Sequence, residues 1–222
     1  NMDVLRDAHL RFEMAFNHMM AAAPDEAVSW LLKYQSWIAG HDAWELVERL
    51  HRRAVAMLEA TRGTGDPELL LALNNLAAAV EKQNRSDEAQ PVLERLIEVA
   101  GEQAAPDADL LATAHYNLAQ LLRDDRKHAE AEGHYHKAAE LWSADEAKRH
   151  GRLFACLAGL AECLYLQARY ADAVPVFRDA ALHALKSKNS GDFTLALHLL
   201  AEGYQAVGEY EKAIPLFQLS LG

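Results

Sequence analysis

Apolar residues recur along this chain at intervals of three and four rather than in alternation. Leu69, Leu73, Leu76, Ala77 and Val80 make one such stripe, and Leu157, Leu160, Ala161 and Leu164 another. That spacing puts the side chains on one face of an α-helix. No useful length of chain alternates with period two, so an all-α fold is expected. Short polar or small breaks separate the stripes. Examples are Gln83-Asn84-Arg85 and Val207-Gly208-Glu209, where Gly208 suits a positive φ. Asp66-Pro67 and Ala105-Pro106-Asp107 stand before helices, with proline at a helix start, where no amide bond is lost.

The stripes lie on a lattice. Leu73-Asn-Asn-Leu-Ala77 is followed by Ser86-Asp-Glu-Ala89, and Tyr116-Asn-Leu-Ala119 by His128-Ala-Glu-Ala131. Gly159-Leu-Ala161 is followed by Tyr170-Ala-Asp-Ala173, and Leu199-Leu-Ala201 by Tyr210-Glu-Lys-Ala213. The first alanines step by 42, 42 and 40 residues, the second alanines do the same, and the two are 12 apart in every unit. Each unit reads as two helices joined by a tight turn. A bulky residue follows the second alanine by four positions: Leu93, Tyr135, Phe177 and Phe217. Small residues let two helix backbones approach, and the bulky neighbour fills the space beside them. Pro91, Pro175 and Pro215 fall two residues after the second alanines. A proline deep in a helix costs about 3 kcal/mol, which places them near the opening turn of the second helix.

Carried backward, the lattice meets a worn copy with Gln35 and Val47 at the small-residue positions and apolar Leu31, Tyr34, Ile38, Trp44 and Ala54 around them. A first helix over about residues 2 to 22 has Ala8, Phe12 and Ala15 spaced like a lone second helix. The expected layout is an N-terminal helix over 1–23, a degenerate repeat over 24–62, and four repeats over 66–222 (about 66–104, 106–144, 145–188 and 190–222), with about eleven helices in all.

These residues resemble a tetratricopeptide repeat array, in the 42-residue form typical of kinesin light chains. Asp66-Pro67-Glu68 leading into Leu73-Asn74-Asn75-Leu76-Ala77 carries the likeness. So do Pro106-Asp107 leading into Tyr116-Asn117-Leu118-Ala119, and the Ala-x-Pro opening of three second helices. The resemblance implies a right-handed α–α superhelix of about five helix pairs plus an N-terminal helix. It also implies that a protein or peptide binds in a groove lined by the first helices. The groove residues it implies are Asn74, Tyr116, Gln120, Arg123, Glu162, Tyr165, His198, Glu202 and Gln205, together with Ala78, Glu81 and Ala158. Asn75 and Asn117 fall at the groove edge. Gly159 and Leu199 occupy the position of those two asparagines, so a carboxamide ladder is only half present.

Composition narrows the partner. The 222 residues include 42 alanines, and 33 Asp+Glu outnumber 22 Lys+Arg for a net charge of −11. Such acidity repels phosphate backbones, and no basic stripe compensates, so nucleic acid is not an expected partner. No apolar run approaches the ~18 residues of a membrane span, and no membrane partner is expected. With three glutamates and one arginine in the groove, a neutral or basic peptide is favoured over an acidic one. Two cysteines point to a reducing, cytoplasmic setting. Cys156 and Cys163, seven apart on one helix, are about 10.5 Å from each other and cannot pair.

Chemistry is sparse. No Gly-rich phosphate loop, Gly-x-Ser-x-Gly or His-Glu-x-x-His occurs, so neither an enzyme nor a cofactor is expected. His134 and His136 point to different helix faces, and His115 replaces a core leucine, so no metal site is expected. The cluster Lys148-Arg149-His150-Arg152 reads as a solvated helix start. The function expected is a non-catalytic scaffold or adaptor; the alternative is a sensor array belonging to a larger bacterial signalling protein or ATPase. The last helix keeps Ile214, Leu216, Phe217, Leu219 and Leu221, which implies a further repeat beyond Gly222 or a homodimer packed through this helix.

Overall fold

A computed structural model describes residues 2–40, 43–103, 107–144 and 146–221, with the side chains of these apart from 2–6, 35–39 and 146–148. Among the described residues the chain is all-α, with eleven helices. They are α1 (Met2–Ala22), α2 (Pro24–Ala39), α3 (Trp44–Thr61), α4 (Pro67–Glu81), α5 (Ser86–Gly101) and α6 (Ala108–Asp124). There follow α7 (His128–Ser143), α8 (Glu146–Leu166), α9 (Tyr170–Ser187), α10 (Ser190–Ala206) and α11 (Tyr210–Ser220). None of the described helices is long and apolar enough to cross a membrane. The chain forms two compact units, Asn1–Leu110 and Leu111–Gly222. Within each, helices pack as stacked pairs of the solenoid kind, touching neighbours one or two places away in the chain.

All eight lattice alanines are buried: Ala77, Ala119, Ala161 and Ala201 in the first helices, and Ala89, Ala131, Ala173 and Ala213 in the second. Leu93, Tyr135 and Phe177 are buried with them, while Phe217 is half-buried. Helix starts are capped by side chains where the sequence offers one. Asp66 accepts from the Glu68 amide at 2.7 Å ahead of Pro67, and Asn189 accepts from Gly191 at 3.0 Å. Asp107 accepts from the Asp109 and Leu110 amides at 2.9 and 3.1 Å, so it caps α6. Pro106 lies outside the described residues.

One turn is used four times. Asn84, Arg126, Ala168 and Gly208 all adopt positive φ, at 57°, 64°, 59° and 81°. They follow the first helices at the lattice steps. The next amide in each case donates back to a carbonyl five residues earlier: Arg85 to Val80 (3.3 Å), Lys127 to Leu122 (2.8 Å), Arg169 to Leu164 (2.9 Å) and Glu209 to Tyr204 (2.9 Å). This is a Schellman closure, which satisfies carbonyls that a helix end would leave bare. Only Gly208 was expected to take this conformation.

The structure corrects three sequence expectations. Pro91, Pro175 and Pro215 lie inside their helices as the sixth residue, past the opening turn, because α5, α9 and α11 begin right after the Schellman closure at Ser86, Tyr170 and Tyr210. In α7 the same position is Gly133, another weak helix former. In α1 the buried residue is Phe16, whereas Ala15 is exposed; Phe12 and Phe16 lie one turn apart and share the inward face. In the worn repeat Leu31, Val47 and Ala54 are buried, but Tyr34 is 40% exposed because its ring leans on Trp30 at the surface. The side chains of Gln35 and Ile38 lie outside the described residues. Within the basic cluster α8 is kinked at Arg149, whose backbone leaves helical geometry (φ −126°, ψ 18°).

Turn residues also clamp one repeat to the one before. Glu48 of α3 is buried and accepts from Gln83 (2.8 Å), Arg85 (2.6 Å) and Arg52 (2.9 Å). Burial alone would raise its pKa, but these donors outweigh burial and hold the carboxyl below its ordinary range. The same device recurs two repeats on, where Glu132 of α7 accepts from Gln167 (3.2 Å) and Arg169 (2.7 Å).

Candidate partner-binding face

The residues on the first helices fall into two sets. One set makes aromatic contacts with the second helices. The Tyr116 ring meets Tyr135 edge-on, with centroids 6.0 Å apart, and tilts against Trp142 at 5.6 Å. His198 meets Phe217 in the same way at 5.3 Å. Both pairs are 19 residues apart and occupy equivalent lattice positions, so this contact belongs to the repeat itself. Tyr165 rests edge-on against Tyr170 across the turn, at 4.9 Å. Each ring thus leans on a second-helix aromatic, with Tyr116 and Tyr165 half-buried and His198 exposed.

The other set makes polar contacts or faces solvent. Gln120, Arg123 and Glu162 are half-buried, and Glu202 and Gln205 are exposed. Arg123 of α6 donates to Glu162 of α8 at 3.1 Å and to Asp124 at 3.0 Å. That bond joins two successive first helices, so the position four after one lattice alanine adjoins the position one after the next. Burial would lower the Arg123 pKa, but the Tyr135 hydroxyl and the carboxylates of Asp124 and Glu162 more than offset it, and the net direction is upward. Beside this pair a depression of about 440 Å³ is lined by Arg123, Asp124, Arg126, His128, Glu162 and Leu166. His198 lies 3.5 Å from Glu202 on α10.

In the first unit, Asn74 and Asn75 of α4 are half-buried. The Asn74 carbonyl oxygen is buried without a hydrogen-bond partner among the described residues. Such an acceptor is costly to leave unmade. Asn117 of α6 is half-buried as well. The position shared by Asn75 and Asn117 becomes Gly159 in α8 for a packing reason. A Cβ there would stand 2.5 Å from Cζ and 2.6 Å from the hydroxyl of Tyr135.

Two histidine pairs escaped the sequence reading. His115 Nδ1 lies 2.9 Å from His134 Nδ1, and His150 Nδ1 lies 3.2 Å from His183 Nδ1. Their members are 19 and 33 residues apart in sequence, and no spacing rule links them. Burial first, then His134 and Lys137, push the His115 pKa down to about 4. Burial likewise pushes His51 of α3 down to about 4, partly offset by its bond to the Val47 carbonyl. Among the described residues no three His, Cys, Asp or Glu side chains gather as metal ligands would. Cys156 and Cys163 are buried free thiols, and burial pushes them up to about 12 and about 11.

Sequence profiles of the tetratricopeptide repeat match residues 110–181 and 196–222. No curated protein matches the chain. Among solved structures, the chain is similar to BtubC (BKLC) from P. vanneervenii, at 21% identity and a TM-score of 0.75, over 96% of this chain and 87% of that one. It is also similar to a putative kinesin light chain with nearly identical TPR-like repeats from Podosopora anserina, at 20% identity and a TM-score of 0.67, over 87% and 90% of the two chains. A third, YrrB, is described as a TPR protein with an unusual peptide-binding site; it is 14% identical with a TM-score of 0.66, over 93% and 91%. At these identities the likeness speaks for the fold.

Proposed function

Since this chain is a tetratricopeptide repeat protein, we propose that it is a scaffold that binds a protein or peptide segment on its first-helix face. The observation that carries the reading is the Arg123–Glu162 bond between α6 and α8. It joins two of the inferred ligand-facing positions, and the repeat register assigns Gln120, Glu202 and Gln205 to the same face. Carboxamides and carboxylates of this kind suit the amides of an extended or helical peptide. Similarity to a structure described as having a peptide-binding site supports the same reading.

The charge of the face favours a neutral or basic ligand. Arg123 is already engaged by Asp124 and Glu162, so the carboxylate of Glu202 sets the sign of the remaining field. Selection from a displayed random-peptide library tests this. Recovered peptides should be neutral or basic, and the variant Glu162→Lys with Glu202→Lys should lose them. Recovery of acidic peptides, or binding indifferent to both substitutions, would overturn the proposal.

A further inference from the structure

The lattice lets one joint between first helices be compared with the next. In the joint between α6 and α8, Arg123 stands four after its lattice alanine and donates to Glu162, one after the following alanine, at 3.1 Å. The same two positions in the joint between α8 and α10 hold Tyr165 and Glu202. The carboxylate is kept and the arginine is not. Among the described residues no lysine or arginine reaches Glu202. Its neighbour is His198 of the same helix, at 3.5 Å, which pairs with it as an ion only when protonated. Both helices of this joint lie within the chain and touch each other. The surroundings change with the pair. Carried one repeat on, the six positions that line the depression beside Arg123 become Tyr165, Leu166, Ala168, Tyr170, Glu202 and Ala206. Of these six only Glu202 is charged. Tyr165 and Tyr170 meet edge-on at 4.9 Å, and Leu166 is 53% exposed.

We propose that the joint between α8 and α10 takes a lysine or arginine side chain of the bound segment, its cationic head on Glu202 and its methylene stem along the Tyr165–Tyr170 pair. Arg123 is the internal version of this contact: α6 supplies to Glu162 what the ligand supplies to Glu202. Lysine and arginine lay their stems on apolar surface while the head stays at a polar site, and tyrosine rings attract a cation near their faces. An acidic side chain would be repelled by Glu202, and an apolar one would cover the carboxylate without pairing it. The proposal rests on the first-helix face being the binding face and adds to it the identity of one ligand residue.

The test runs the whole chain, as wild type, Glu202→Arg and Glu211→Arg, against one displayed random-peptide library. Glu202 and Glu211 are both exposed, so neither replacement disturbs the core. Peptides recovered by wild type should align on one position held by lysine or arginine. Glu202→Arg should recover peptides with Asp or Glu there, whereas Glu211→Arg, an equal change of charge on α11, should keep the wild-type preference. A recovered peptide remade with norleucine at that position should bind wild type at least about fivefold more weakly by fluorescence anisotropy, and Glu202→Gln by no more than about twofold. Peptides with no aligned lysine or arginine, or a preference that survives Glu202→Arg, would overturn this proposal and leave the scaffold reading in place. A wild type that recovers no peptide at all would overturn both.

Discussion

Replacing Gly159 by alanine probes the tightest joint in the second unit. An ideal Cβ at this position would lie 2.5, 2.6 and 2.8 Å from Cζ, the hydroxyl oxygen and Cε1 of Tyr135. Ordinary carbon contacts are about 3.5–4.0 Å, so the ring would have to withdraw by about 1 Å. Tyr135 is fully buried, so its ring can withdraw only against packed neighbours. Overpacking of this size costs up to about 3 kcal/mol. Alanine returns about 1 kcal/mol of helix propensity, leaving a net loss near 2 kcal/mol. For a chain of this length that is a fall in Tm of about 4–8 °C, read by circular dichroism. Because the clash involves the far end of the ring, Tyr135→Leu should relieve it and Tyr135→Phe should not. A double-mutant cycle of Gly159→Ala with Tyr135→Leu should therefore show coupling of about 3 kcal/mol in urea titrations, the full clash. A Gly159→Ala variant that melts at or above wild type would mean that propensity governs this site and the close approach does not.

Ala168→Gly should stabilise by about 0.5–1 kcal/mol, since alanine at φ 59° bears a left-handed penalty that glycine escapes; an unchanged urea midpoint would refute this. Ala119→Leu should destabilise by about 1–3 kcal/mol at a fully buried crossing, and a wild-type Tm would show the register to be wrong. Stability should fall as pH drops from about 6.5 toward 4. His51 and His115 take up protons near 6.5 when unfolded but only near 4 when folded, so the unfolded chain binds more protons across that window. Fully buried His51 alone accounts for up to about 3 kcal/mol, and urea midpoints that stay level between pH 7 and 5 would contradict the assignment. Cys156 and Cys163 should react with a thiol reagent only under denaturant, and rapid labelling of the native chain would show that they are not buried.

The fold was legible because its signal is periodic. Eight alanines on one lattice point to helix crossings, and each proved buried. What the pattern could not reveal were features decided by contact rather than by spacing. Arg126 and Ala168 take left-handed backbone although neither residue advertises it, because the Schellman closure imposes that conformation wherever the lattice puts the turn. In α1 Phe12 and Phe16 share the inward face, and nothing in a lone helix says that Ala15 will lie off it. The candidate face was half legible. Arg123 and Glu162 were placed on it by register and meet across α6 and α8. Tyr116, Tyr165 and His198 were assigned by the same rule, and contacts that spacing does not announce set one side of each ring against Tyr135, Tyr170 and Phe217. Gly159 looked like a flaw in an asparagine ladder until the ring above it supplied the reason.

Contacts confined to near neighbours along the chain give each unit the behaviour of a zipper. Closing one helix pair brings together residues separated by only a few tens of positions, so little loop entropy is spent at any step. Opening follows the same route backward from an end. Among the described residues of the second unit, α11 packs on α10 alone, whereas α8 and α9 are packed on both sides. Amide exchange should therefore run as a gradient, fastest in α11 and slowest in α8 and α9, with no single event exposing every amide at once.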